Sequence, residues 1–100
     1  MIIYNVTVNI DSSVHDEWLE WMKSKHIPDV VATGCFSSGN IFRIMVDEQS
    51  GVSYSVQYCA ASMEDINRYM KDHAPALQKE HKDKYEEKFT AFRTLLEHIA

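Results

Sequence analysis

The chain has 100 residues, of which 45% are hydrophobic and 25% are charged, and its formal net charge at pH 7 is -5. One domain spanning residues 1–100 is expected from this length, and the apolar content excludes a disordered chain. The acidic balance argues against nucleic acid as a partner, and no apolar run approaches the roughly 18 residues that a membrane-spanning helix needs. Because the N-terminus lacks the basic and apolar regions of a signal peptide, a cytoplasmic location is expected.

A strand is predicted from Ile2 to Ile10, because polar and apolar side chains alternate along this segment. The following helix is expected to begin at a capping box formed by Ser13 and Asp16 and to end near His26. Trp18 belongs to the apolar stripe of this helix, which recurs at intervals of three and four residues.

The middle of the chain predicts a turn and a β-hairpin. Pro28 predicts a break in the first helix, and Gly34 closes one short extra turn. Two strands follow, over about residues 36–46 and over residues 52–60. A five-residue loop at positions 47–51, with glycine at its end, joins them as a hairpin.

The C-terminal part predicts a second helix and a fourth strand. Ser62 and Asp65 form its candidate cap, and His73 lies on its inner stripe. Pro75 interrupts this helix and restarts it, and the last strand covers about residues 87–95. The element order β-α-β-β-α-β predicts an α+β, ferredoxin-like fold, in which a four-stranded antiparallel sheet carries the helices on one face. The side chains expected between sheet and helices are Val6, Val8, Ile10, Trp18, Trp21, Met22, Val56, Tyr58, Ile66 and Met70.

The face of the sheet without helices is predicted to be polar but poor in charge. Its residues on the first and third strands are Asn5, Thr7, Asn9, Ser53, Ser55 and Gln57, and Arg43 or its neighbours contribute from the second strand. Small neutral polar groups suit a surface that is covered and still needs hydrogen-bond partners. A second copy of the sheet would cover it, so a homodimer is expected.

Two histidines are candidates for binding a small molecule. His26 ends a helix, where the helix dipole favours an imidazolium, and beside Trp18 it has the position of a general base. The alternative is a helix-end histidine that bonds a backbone carbonyl. His73 is either a satisfied, partly buried side chain or a ligand contact. His15, His81 and His98 are expected at boundary or surface positions.

The sequence contains no motif that predicts a metal ion or a cofactor. No pair of His, Cys, Asp or Glu has the spacing expected of two ligands on one metal. No nucleophile motif or glycine-rich phosphate loop is present either. We therefore expect neither a metal nor a cofactor.

The order of elements, the length and the composition of the open face resemble those of the dimeric α+β barrel superfamily. The segments HIPDVVATGCF (26–36), RYMKDHAPALQKEH (68–81) and FRTLLE (92–97) resemble, more narrowly, a family of uncharacterised small bacterial proteins whose domain has no known function. This resemblance covers nearly the whole chain. It implies two ferredoxin-like subunits joined into one barrel, with ligands between the sheet and the helices or inside the barrel.

The resemblance also extends to haem-degrading monooxygenases of the superfamily. Those enzymes use an Asn on the first strand and a His on the second helix, and Asn5 and His73 lie on the comparable elements here. The Trp that they carry on the third strand has no counterpart, because this strand offers Tyr54 and Tyr58. A haem-degrading activity is therefore the weaker variant of an enzymatic function.

Two classes of function remain open. One is a small-molecule-binding or structural homodimer without catalysis. The other is a cofactor-independent monooxygenase or isomerase, in which His26, Asn5 and Arg43 position an aromatic or anionic substrate. Catalysis predicts an enclosed pocket of roughly 300 Å³ or more on which His26, His73 and Asn5 converge. The candidate ligand-binding residues are Asn5, Trp18, His26, Arg43, Gln57 and His73.

Overall fold

Four strands form one antiparallel sheet in the computed structural model, which describes residues 1–46 and 50–100. The strands are β1 (Ile2–Ile10), β2 (Ser38–Arg43), β3 (Val52–Ala60) and β4 (Phe89–Glu97), in the spatial order β2-β3-β1-β4. β1 lies at the centre, and Val6 pairs with Val56 on one side and with Arg93 on the other. The predicted ferredoxin-like fold is confirmed. The predicted hairpin loop at 47–51 lies partly outside the described residues.

The helical segment after β1 passes through Pro28, so the predicted break there is wrong. It consists of a 3-10 turn (Ser12–Val14), helix α1 (His15–Trp21), a π-helical turn (Met22–His26) and helix α2 (Ile27–Ala32). Pro28 lies in the first turn of α2, where the missing N–H costs little. The wider π turn closes when the Ile27 N–H donates to the Met22 carbonyl.

The N-terminal cap of this segment also differs from the predicted one. The Asp11 carboxylate accepts a hydrogen bond from the Ser13 N–H at 2.8 Å, and Ser13 Oγ donates to the same oxygen. Asp11 therefore satisfies an N–H group that the first helical turn leaves free. The predicted Ser13–Asp16 box does not form, since Asp11 rather than Ser13 is the N-cap residue.

Two further helices, α3 (Met63–Asp72) and α4 (Ala74–Tyr85), lead through a 3-10 turn (Glu86–Lys88) into β4. Pro75 lies in the first turn of α4, as its position in the sequence predicts. Met70 is 40% exposed, contrary to its predicted place in the core, and Tyr69 at 3% exposure takes the inward position. In the part of the chain that the structure describes, no helix is long and apolar enough to cross a membrane.

Candidate functional site

A cavity of about 50 Å³ lies between the sheet and the helices, beside the N-terminal half of β4. Most of its wall is aliphatic or aromatic. The polar side chains on the wall are Tyr4, His26, Tyr58, Tyr69, Gln78, His81 and Arg93. A site of this volume admits a few non-hydrogen atoms, because one water molecule needs roughly 10–15 Å³. It is smaller than the pocket of roughly 300 Å³ that the enzymatic alternative predicts.

Two imidazoles from different helices meet at this cavity. His26 ends the π-helical turn and His81 belongs to α4, and their ring centroids are 5.7 Å apart. The Trp21 ring stacks on His26 at 5.0 Å, and the Phe89 ring meets His81 edge-on at 4.3 Å. The apolar rings that hold the pair in place also keep water away from it.

Trp18 fixes the orientation and the tautomer of His81. Trp18 is fully buried, and its indole Nε1–H donates to His81 Nε2 over 2.9 Å. The neutral imidazole of His81 therefore carries its proton on Nδ1. Protonation of His81 would place a second N–H opposite the indole N–H, so this contact favours the neutral ring.

Both imidazoles are neutral at physiological pH. Burial lowers the pKa of His26 to about 4, and the charges of Lys25 and Arg93 act in the same direction while Asp29 opposes them. Burial also lowers the pKa of His81 to about 4, with smaller contributions from His26 and Arg93. Low polarity disfavours an imidazolium, and each ring disfavours a charge on the other.

Two buried polar atoms near the cavity have no hydrogen-bond partner among the described residues: His26 Nδ1 and the Tyr85 hydroxyl. Tyr85 packs against Trp21 and His81, each at a centroid distance of 5.6 Å, and burial raises its pKa to about 12. Buried polar groups in native proteins are almost always paired. An unpaired ring nitrogen on a cavity wall is therefore a position where a bound molecule can form a hydrogen bond.

Arg93 provides the positive charge of the cavity. It projects from β4 on the same side as Phe89 and Ala91, with its residue exposed to solvent. Burial raises the pKa of the Tyr4 hydroxyl, and the charge of Arg93 together with hydrogen bonding by Arg93 and Gln78 opposes that rise. The guanidinium group therefore lies at the mouth of the cavity, next to a phenol and an amide.

Among the predicted site residues, Asn5 and Gln57 lie on the opposite face of the sheet. Asn5 Nδ2 donates to the hydroxyls of Thr7 and Thr94, both at 3.2 Å, and Ser55 Oγ donates to Asn5 Oδ1 at 2.6 Å. Gln57 Nε2 donates to Ser55 Oγ at 3.2 Å. This network satisfies the polar face from within, and the sheet separates it from the cavity.

The other predicted residues differ in how close they come to the cavity. Trp18 acts through His81, as described above, and His26 lines the wall. His73 lies at the junction of α3 and α4, where it stacks on Tyr69 at 6.5 Å, and it does not line the cavity. Arg43 pairs with Tyr54 and therefore projects toward the helix side at the end of β2, and its neighbour Phe42, which pairs with Ser55, contributes to the open face instead.

The convergence of His26, His73 and Asn5 that the enzymatic alternative requires therefore does not occur. His81 takes the place expected of His73, although a boundary or surface position was predicted for it. Its signal was the spacing with Tyr85, four residues later on the same side of α4. Arg93 also had a signal, because it is a charged residue that alternates along β4 with the apolar Phe89, Ala91 and Leu95.

The side chains that commonly bind metal ions do not form a cluster in the described part of the chain. Within residues 1–46 and 50–100, no group of three or more His, Cys, Asp or Glu side chains could hold a metal ion. His26 and His81 face each other without a third ligand, and the lining of the cavity contains no carboxylate among the described residues.

The comparison with protein families agrees with the resemblance inferred from the sequence. The family model described as "Domain of unknown function (DUF4286)" matches residues 1–99. The chain belongs to the DUF4286 family. The curated proteins include no match to this DUF4286 chain.

Solved structures confirm the fold of the DUF4286 chain. An ethyl tert-butyl ether degradation family protein from Bacillus halodurans has a TM-score of 0.69 at 14% identity, covering 99% of this chain and 100% of its own. An antibiotic biosynthesis monooxygenase has a TM-score of 0.65 at 11% identity, with 100% of both chains covered. A de novo designed protein with a ferredoxin fold has a TM-score of 0.53 at 18% identity, covering 100% of this chain and 89% of its own. At these identities the likeness shows the fold alone, which is the ferredoxin-like α+β arrangement expected from the sequence.

Proposed function

We propose that this protein binds a small molecule in the cavity between its sheet and its helices, without catalysing a reaction on it. The observation that carries this proposal is the unpartnered, buried Nδ1 atom of His26 on the cavity wall. Leaving such an atom without a partner costs about 1–3 kcal/mol, so a ligand that forms a hydrogen bond with it would recover that free energy. The aromatic wall supplies apolar contact around this polar anchor.

The electrostatics of His26 favour binding over proton abstraction. A general base works best when its pKa is close to the operating pH. Burial holds the pKa of His26 near 4, so at neutral pH the ring is uncharged and has little tendency to take a proton. The small volume of the cavity also favours a binding role over the cofactor-independent monooxygenase or isomerase considered above.

A titration with small ligands tests the binding function. We would add a panel of small alcohols, amides and carboxylates to isotope-labelled protein and follow the imidazole resonances of His26 and His81. Ala91→Leu fills the cavity from β4, whereas Ala76→Leu adds the same atoms at an exposed position of α4. We expect at least one compound to shift both rings in the wild type and in Ala76→Leu, and to have no effect in Ala91→Leu.

Two results would contradict the proposal. If no compound in the panel shifts the rings, the cavity is not a binding site for molecules of this size. If Ala91→Leu, with circular dichroism like that of the wild type, binds as well as the wild type, then the ligand lies elsewhere.

We also propose that the protein is a homodimer in which two sheets pack through their polar faces. The hydrogen-bonded side chains on this face are small and neutral, and exposed apolar residues lie on the strands around them. These apolar residues are Phe42 at 51% exposure, Phe92 at 62% and Leu96 at 43%. Covering them would bury apolar surface worth roughly 25 cal/mol per Å².

Light scattering coupled to size-exclusion chromatography tests the dimer. We expect a mass near twice 11.6 kDa for the wild type. Thr7→Arg places a charge in the centre of the polar face and should yield monomer, whereas Ala76→Arg on the exposed side of α4 should leave the dimer intact. A wild-type mass near 11.6 kDa would contradict the dimer.

A further inference from the structure

We propose that the ligand of this cavity is a small carboxylate whose negative charge pairs with Arg93 at the mouth. This inference rests on the proposed binding function and adds the chemical class of the ligand. It follows from the charges around the cavity, from the position of Arg93 in the sheet and from the size of the cavity, which are independent observations.

The charges around the cavity are unbalanced. Arg93 is the charged residue on a wall that otherwise consists of neutral side chains, and no Asp or Glu lines the cavity within the described residues. Arg93 also forms no ion pair with an acidic side chain in the part of the chain that the structure describes. A guanidinium group presents a planar fork of N–H donors that matches a carboxylate.

Arg93 lies on the helix-covered face of the sheet, which is unusual for an arginine that only contacts solvent. It pairs with Val6 of the neighbouring strand β1, on the face of the sheet that the helices cover. Phe89 and Ala91 precede it on the same side of β4. Its charge affects titratable groups across the cavity. It lowers the pKa of His26 and of His81, and it counteracts the rise that burial causes in the pKa of Tyr69. A charge that reaches both imidazoles also reaches a molecule held between them.

The neutral groups complement the second half of such a ligand. The Tyr4 hydroxyl and the Gln78 amide lie next to each other beside Arg93. Both are hydrogen-bond donors suited to a carboxylate oxygen. His26 Nδ1 is left to form a hydrogen bond with a polar group of the ligand, as donor or acceptor according to its tautomer. The cavity of about 50 Å³ restricts the buried part of the ligand to a few non-hydrogen atoms.

Propionate and propionamide form the probe pair for this inference, because they have nearly the same shape and differ in charge. The amide also carries N–H donors that can contact His26 Nδ1, so tighter binding of propionate is attributable to its charge. We would titrate each into labelled protein at constant ionic strength and follow the imidazole resonances of His26 and His81. We expect millimolar binding of propionate, since a ligand of this size buries little surface, and binding of propionamide that is weaker by about tenfold. The comparison in the wild type needs no variant and so does not depend on the folding of a mutant.

Arg93→Gln and Arg43→Gln are the matched variants, since both remove one exposed arginine from the helix side of a strand and Arg43 does not line the cavity. We expect Arg93→Gln to weaken propionate binding by about tenfold while propionamide binding is unchanged, and Arg43→Gln to behave as the wild type.

The possible failures separate the two proposals. If propionamide binds as tightly as propionate, the cavity is a binding site and the assignment of a carboxylate is wrong. If Arg43→Gln weakens propionate binding as much as Arg93→Gln does, net charge rather than a pair with Arg93 is responsible, and the assignment is again wrong. If neither probe nor any member of the wider panel binds, the binding function fails as well.

Discussion

The two buried imidazoles predict that the protein loses stability between pH 7 and pH 5. His26 and His81 have a pKa of about 4 in the folded protein, compared with an ordinary value of 6.5. The unfolded chain therefore takes up protons on both rings as the pH falls through 6.5, while the folded protein does not. The stability that the neutral rings provide is complete above pH 6.5, and it is lost progressively until the pH reaches the folded value near 4.

The size of this loss follows from the displacement of each pKa. One pKa unit corresponds to 1.36 kcal/mol, so acidification from pH 7 to pH 5 costs about 2 kcal/mol for each imidazole. The pair together should reduce the free energy of unfolding by about 4 kcal/mol. That is a large fraction of the roughly 5–15 kcal/mol that stabilises a typical domain.

Urea denaturation at pH 7, 6 and 5, followed by tryptophan fluorescence at one protein concentration, measures this loss. His81→Gln removes one of the two rings and should halve the decrease between pH 7 and pH 5. His98→Gln is the matched control, because His98 is exposed near the C-terminus, and it should keep the full decrease. Equal free energies of unfolding at pH 7 and pH 5 in the wild type would refute the reasoning. So would a decrease between pH 7 and pH 5 that is the same in His81→Gln and His98→Gln.

Three further predictions concern the backbone. Glu86 adopts φ 45°, which favours glycine, so Glu86→Gly should raise the free energy of unfolding by about 1 kcal/mol, whereas Glu87→Gly should not raise it. A urea midpoint for Glu86→Gly below that of the wild type would contradict this. Asp11→Ala removes a helix cap and should cost about 1 kcal/mol in the same assay, and an unchanged midpoint would show that the cap is dispensable. Gly51→Ala should cost about 1–3 kcal/mol, because φ is 74° and the added Cβ would lie 2.6 Å from the Ile10 carbonyl oxygen; a midpoint equal to that of the wild type would contradict this steric argument.

The fold was accessible from the sequence because its strongest signals are local. The alternation along β1 assigns Asn5 and Val6 to opposite faces of the sheet, and the structure has them there. The effect of Pro28 was harder to predict, since a proline ends a helix in one context and begins a helical turn in another. The π-helical turn that precedes Pro28 resolved this choice, and it has no marker in the sequence pattern.

The candidate site was less accessible, because it depends on how the elements pack. The charged surroundings of His81 on α4 suggested a solvated helix, whereas its contacts with Trp18 and Phe89 show that this ring is buried. Arg93 became significant once the structure placed the helices beside β4, leaving its guanidinium next to Tyr4. Such relations join residues that are far apart in sequence, so the spacing of residues does not reveal them.

The most direct test of the binding site is to locate a bound ligand by nuclear Overhauser effects between the ligand and the protein. With propionate at saturation, we expect effects from the propionate methyl group to the ring protons of His26 and to the methyl groups of Val6 and Ala91, which line the cavity. The same effects should be absent in Ala91→Leu. Effects to the side chains of the polar face of the sheet, with none to His26, would contradict the assignment of the cavity as the ligand site.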